Sequence, residues 1–85
     1  MYRVSDSVRS THGQDGAVVL DVRQGQMFNL NLIGSRMLDL LLAGRSEREI
    51  AAEISGQFGV SMETVETDLA QFIQALARHN LLQKG

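Results

Sequence analysis

Hydrophobic and polar residues change their period near residue 32 of the chain. Before it they alternate. AVVLDVR, residues 17–23, places Val18, Leu20 and Val22 on one face and Val19, Asp21 and Arg23 on the other. MFNLNL repeats the pattern, with Phe28, Leu30 and Leu32 set against Met27, Asn29 and Asn31. Arg23-Gln24-Gly25 supplies a tight turn between these runs. Upstream, Gln14-Asp15-Gly16 predicts a hairpin, because Asp-Gly suits the positive φ angles of a type I′ turn. A weaker strand around residues 4–11 then pairs with the second, and the first few residues are expected to fray. Three antiparallel strands in a meander result.

After residue 32 apolar positions recur in steps of three and four. Asn31 can cap a first helix carrying Met37, Leu38, Leu40, Leu41 and Leu42 and stopping at Gly44. Apolar nearly all round, it is the expected central core helix. Ser46-Glu-Arg-Glu49 reads as a capping box, ahead of a buried stripe of Ile50, Ala51, Ile54 and Phe58 that ends at Gly59. Ser61 caps a third helix whose stripe is Met62, Val65, Leu69, Phe72, Ile73 and Leu76. Asn80 suits a left-handed cap, with Leu81-Leu82 folding back on the core. Three strands followed by three helices predict an α+β, winged helix-turn-helix-like fold, with residues 1–85 as one domain. No strand–helix–parallel-strand unit is present, which excludes the nucleotide-binding α/β folds.

Composition narrows the function. With 44% apolar and 21% charged residues the chain reads as folded rather than disordered. The absence of cysteine excludes disulfides and thiolate metal sites. The N-terminal MYRVSDSVRS has no signal-peptide core, and MLDLLLAG is too short to span a bilayer, so a cytoplasmic location with no membrane contact is expected. No catalytic or phosphate-binding motif is present, and no cofactor is expected. His12 falls in a predicted loop. His79 falls in the last turn of the third helix, where an imidazole suits the dipole. Glu47, Glu49, Glu53, Glu63, Glu66 and Asp68 serve as caps or solvated faces, Asp68 standing out because it flanks the Leu69/Phe72 stripe. None of this predicts an enzyme.

The second and third helices suggest a DNA-binding helix-turn-helix, and a transcriptional regulator is the alternative reading. Such a helix places its N-terminal residues against bases, with Lys and Arg around them on phosphates. Here those positions hold Met62, Glu63, Glu66 and Thr67, and Arg78 is the nearest cation on that helix. A net charge of −2 argues the same way. A third possibility is a structural or oligomerisation module.

The meander offers another use. MFNLN ends it, so one side of that strand is expected to be an open edge, able to accept an extended peptide. A third helix lying beside it would wall a groove, the alanines leaving room near Phe72 and Leu76. The run from Val18 to Leu82 resembles the PqqD family, the small recognition elements of ribosomal peptide-modifying pathways. The resemblance rests on Leu30-Asn31, Gly34, residues 38–42, Glu49-Ile50, Phe58-Gly59-Val60, Asp68-Leu69 with Phe72-Ile73, and Leu81-Leu82, in this order and spacing.

That resemblance implies a non-catalytic protein that holds a precursor's leader segment as an added strand and presents it to a modifying enzyme. On this chain it implies strand positions Gln26, Met27, Phe28 and Asn29 and helix positions Asp68, Leu69, Phe72, Ala75 and Leu76. The implied partners are the precursor leader peptide and a radical-SAM enzyme or leader peptidase, with no nucleic acid, and the chain a monomer or weak homodimer. Members dedicated to pyrroloquinoline quinone usually carry a Pro-Glu-Gly type segment where this chain has DVRQGQ, and this chain has no proline. The glycine usual before the terminal hydrophobic pair is Asn80. The first departure points to another pathway, such as lasso peptide or radical-SAM peptide maturation; the second is chemically mild.

Overall fold

In a computed structural model, described over residues 2–84, the strands are β1 (Tyr2–Val4), β2 (Val8–Gly13), β3 (Gly16–Asp21) and β4 (Gln26–Asn31). They precede α1 (Leu32–Leu42), α2 (Glu47–Phe58), α3 (Met62–Arg78) and a last strand, β5 (Leu82–Lys84). β2, β3 and β4 form the expected antiparallel meander, and β1 pairs with β5 in a separate two-stranded sheet. The weak first strand is therefore two strands. Val4 belongs to β1, opposite Leu82, and residues 2–4 are paired instead of frayed; Met1 lies outside the described residues. Pattern reading missed β1 and β5 because three residues are too few to show an alternation.

Each helix begins where its cap residue dictates. The Gly34 amide donates to Asn31 Oδ1 at 2.8 Å. The Ser46 amide donates to Glu49 Oε1 at 2.9 Å and the Glu49 amide to Ser46 Oγ at 3.1 Å, a complete capping box. The Ser46 amide first, and the Ser46 hydroxyl second, hold the Glu49 carboxyl below its ordinary value of 4.5, with Arg45 adding a smaller pull. Thr64 donates its amide to Ser61 Oγ. Left-handed backbone at Gly59 (φ 68°) and Asn80 (φ 60°) turns the chain after α2 and α3. Leu81 and Leu82 then return into the core.

The core gathers Leu38, Leu41, Ile50, Ile54, Val65 and Leu69 from all three helices, under Val19 of the sheet. Each such side chain removed from water contributes roughly 1.5–3 kcal/mol. Met62 and Leu42, expected in the stripes, are exposed at helix ends.

The sheet turns the face of Val19 and Asp21 to the core, not the wholly apolar face of Val18, Leu20 and Val22. Ala17, Val19 and Asp21 are buried, whereas Leu20 and Val22 are 39% and 56% exposed. Asp21 decides this. At 1% exposure its Oδ1 accepts from Ser7 Oγ (3.0 Å) and from the amides of Arg23 (3.0 Å) and Gln24 (3.3 Å), so the carboxylate builds the β3–β4 turn from inside. A polar group with its bonds made can be buried; hydropathy alone assigns it to water.

The β2–β3 turn also differs from expectation. Gly13 pairs with Gly16, leaving Gln14 and Asp15 as the loop. Neither has a positive φ, so the turn is not type I′. Gly16 (φ 148°) is required instead because a Cβ there would overlap the Leu30 carbonyl oxygen on β4.

Candidate functional site: an open strand beside a helix

β4 is an edge of the meander, and β2 is the other edge. The register decides which amides of β4 are free. Val22 donates its amide to the Ser7 carbonyl at 3.0 Å, which makes 7 and 22 a hydrogen-bonded pair. Because such pairs alternate along an antiparallel ladder, Arg9↔Leu20 and Thr11↔Val18 are hydrogen-bonded too. The backbone groups of Ala17, Val19 and Asp21 then point to β4, toward Leu30, Phe28 and Gln26. Met27 and Asn29 are left with their amides and carbonyls facing outward. Two residues apart, they can dock an extended chain.

α3 runs beside this edge in the opposite sense, touching it through side chains. At one end the Phe28 and His79 rings lie 4.9 Å apart, tilted by 52°. At the other, Phe72 reaches the first turn of α1, where a Cβ added to Gly34 would stand 3.8 Å from its ring and 3.3 Å from Asn31 Oδ1. A Cβ at Gly34 would crowd the cap oxygen and meet the ring at ordinary contact distance, so the cap supplies a physical reason for the glycine. Between these ends Phe28, Leu30 and Phe72 are half-buried and Ala75 is exposed. A shallow depression of about 380 Å³ opens at the Phe72 end, lined by Asn31, Ile33, Gly34, Met37, Asp68 and Phe72. Its apolar floor under an exposed carboxylate can take an apolar side chain beside a polar or cationic one.

Of the nine expected site residues, Met27 and Asn29 offer the outward backbone and Phe28 the floor. Phe72 and Ala75 face the groove, and Asp68 stands at its mouth. Gln26 is exposed at the start of β4 with its backbone turned to β3. Leu69 and Leu76 are 1% and 5% exposed, so they hold α3 against the core behind the wall. Asn31, Ile33 and Met37 complete the depression and were not expected from sequence, because their place opposite Phe72 depends on how α1 packs. A depression of about 410 Å³ lies at the β2–β3 turn, but it is lined mainly by turn residues and no apolar side chain of α3 reaches it.

Neither histidine stands at a reactive site. His12 lies within β2, not in a loop, and its Nε2 is 2.8 Å from Asp39 Oδ1 on α1. Among the described residues no three His, Cys, Asp or Glu side chains gather to hold a metal. No helix among them is long and apolar enough to cross a membrane. Glu63, Glu66 and Asp68 are exposed on α3. Arg36 is paired with Glu53 at 2.9 Å, and Arg45 lies near Glu49 and Glu53. The charge presented where a recognition helix would meet DNA is negative.

A structure described as TbiB1 in complex with the TbiA(beta) leader peptide is 38% identical to this chain. It superposes with a TM-score of 0.86, covering 98% of this chain and 96% of that one. A lasso peptide synthetase B1 complexed with the leader peptide shares the fold, with a TM-score of 0.89, 23% identity and 98% of each chain covered. No curated protein matches the sequence significantly. The family described as coenzyme PQQ synthesis protein D (PqqD) matches residues 16–82. With that match spanning most of the chain, this protein belongs to the PqqD family.

Proposed function

We propose that this chain is a peptide-recognition element that binds the leader segment of a ribosomally synthesised precursor as a fourth strand on β4. It presents the bound precursor to a modifying enzyme or leader peptidase and carries out no chemistry itself. The observation that carries this reading is the outer edge of β4, which pairs with no strand among the described residues and whose outward amides, Met27 and Asn29, lie beside a half-apolar helix wall. Backbone bonds along β4 give affinity, and the Phe72–Gly34 depression selects an apolar side chain of the leader. Supporting it, the relative at 38% identity is described in complex with a leader peptide. A lasso-type or radical-SAM pathway fits better than quinone-cofactor synthesis, since DVRQGQ stands where the quinone members carry their Pro-Glu-Gly type segment. Nothing favours DNA binding on a helix that displays carboxylates.

The direct test is fluorescence anisotropy with labelled synthetic precursor leader peptides. Saturable binding that survives in 0.5 M salt, with duplex DNA failing to compete, is the expected result. No binding by leader peptides, or displacement by duplex DNA, would sink the reading.

A further inference from the structure

α3 carries its charges unevenly. Its first half bears Glu63, Glu66 and Asp68, while its basic side chains, Arg78 and the C-capping His79, stand together at the other end. That is the Phe28 end of the groove, where the exposed imidazole lies against the half-buried Phe28 ring. Among the described residues no carboxylate pairs with Arg78 or His79. Asp21, on the same face of the sheet as Phe28, already accepts from Ser7 and from two amides of its own turn. The last carbonyls of α3 are taken as well: Ala75, Leu76 and Ala77 accept from the amides of His79, Leu81 and Asn80. The helix end therefore presents the imidazole instead of bare carbonyls.

We propose that His79 is a specificity-determining residue that receives an acidic side chain of the bound peptide; this rests on the leader-binding reading above. The register places that side chain. An antiparallel chain bonded to Met27 and Asn29 sets one residue directly opposite Phe28, between the two bonded pairs. Its side chain lies on the same face as Phe28, with the two Cβ atoms about 5 Å apart. It therefore meets the imidazole that rests on the Phe28 ring. The next peptide residue on this face, opposite Leu30, is directed toward the Phe72 end instead. Chemistry selects a carboxylate for the first position. With Phe28 against its ring, His79 keeps its N–H groups for an acceptor, and Arg78 adds a cation beside it. A lysine or arginine there would meet two basic groups, and an aromatic side chain would leave the imidazole N–H groups to water. Asp68 has the opposite sign about 16 Å away, taking ~1.5 Å per residue along α3, so the groove is electrically polar along its length.

The test is a substitution scan on the full chain. A synthetic leader that binds wild type by anisotropy is remade with Glu, Gln, Lys or Phe at each position of its docked segment in turn. Each peptide is measured against wild type, His79→Ala and His79→Glu. The His79 side chain is exposed, so both variants should fold, which circular dichroism checks. With wild type, one position should favour Glu over Gln by about fivefold, the range of a charge-assisted contact at a half-open site. His79→Ala should abolish that preference at that position and leave the rest of the scan as in wild type. His79→Glu should reverse it, with Lys binding about fivefold tighter than Glu. A preference for Glu that survives in His79→Ala, or no position at which wild type prefers Glu, would overturn the proposal. So would a position sensitive to His79 that prefers Phe and treats Glu and Gln alike, since the site would then be an aromatic pocket. Failure of wild type to bind any leader would sink the underlying reading and this one with it, before any variant is measured.

Discussion

The two edges of the meander present the same backbone chemistry in different surroundings. On β4, Met27 and Asn29 point outward; on β2, the corresponding residues are Ser10 and His12. Beside β4 runs the wall of α3, with Phe72 and Ala75 facing the gap. Val8 of β2 joins the core, but beyond it the strand is exposed, and there His12 reaches Asp39 on α1. Free amides alone are therefore not a site. What distinguishes β4 is apolar area beside the edge, because net hydrogen bonds contribute only about 1 kcal/mol each and are satisfied by water when no peptide is present.

The largest effect should come from proline at an outward amide. Met27→Pro removes one edge bond and sets a ring against the incoming strand, costing about 2–3 kcal/mol, on the order of a hundredfold in leader affinity. Ser10→Pro makes the same change on β2 and should leave affinity unaltered; an equal loss there would erase the distinction between the edges. Next, Phe72→Ala removes the wall of the depression and should weaken binding ten- to thirtyfold, about 1.5–2 kcal/mol, measured by calorimetry on a variant shown to be folded. Gly34→Leu fills the depression from the opposite side and should cost about tenfold through the same apolar leader residue. Combining it with Phe72→Ala should give less than the sum of the two losses.

Smallest are the changes remote from both edges. Ser46→Ala removes the hydroxyl that accepts from the Glu49 amide, keeps the backbone bond to Glu49 Oε1, and should lower stability by about 1 kcal/mol, read by urea denaturation, with leader affinity unchanged. The Glu49 carboxyl is held below its unfolded value, so its contribution is complete above that value and disappears as pH falls through the lower, folded one. Glu49→Gln should flatten the stability profile in that acid window, with its loss of stability complete at neutral pH and vanishing below the window.

Much of the fold was legible because it is written in local chemistry. The caps at Asn31, Ser46, Ser61 and Asn80 and the stripes on the helices need only neighbours in sequence. Reading failed where distant parts decide. Asp21 is buried because Ser7, fourteen residues earlier, and its own turn satisfy it, and the alternation alone does not say that its face is the inner one of β3. β1 and β5 exist because the chain ends meet. For the candidate site, Gln26 to Asn29 and Asp68, Leu69, Phe72, Ala75 and Leu76 are expected from the family resemblance, while periodicity places Leu69 and Phe72 on one stripe. Only packing separates the buried Leu69 and Leu76 from the groove-facing Phe72 and Ala75. The depression's other side, Ile33, Gly34 and Met37, is made by α1.

Amide hydrogen exchange on the chain, free and saturated with leader peptide, tests the central claim most directly. Exchange of the Met27 and Asn29 amides should slow by a hundredfold or more on saturation, while Ser10 and His12 exchange as in the free chain. Protection at Ser10 and His12, or binding that leaves Met27 and Asn29 exchanging freely, would contradict it.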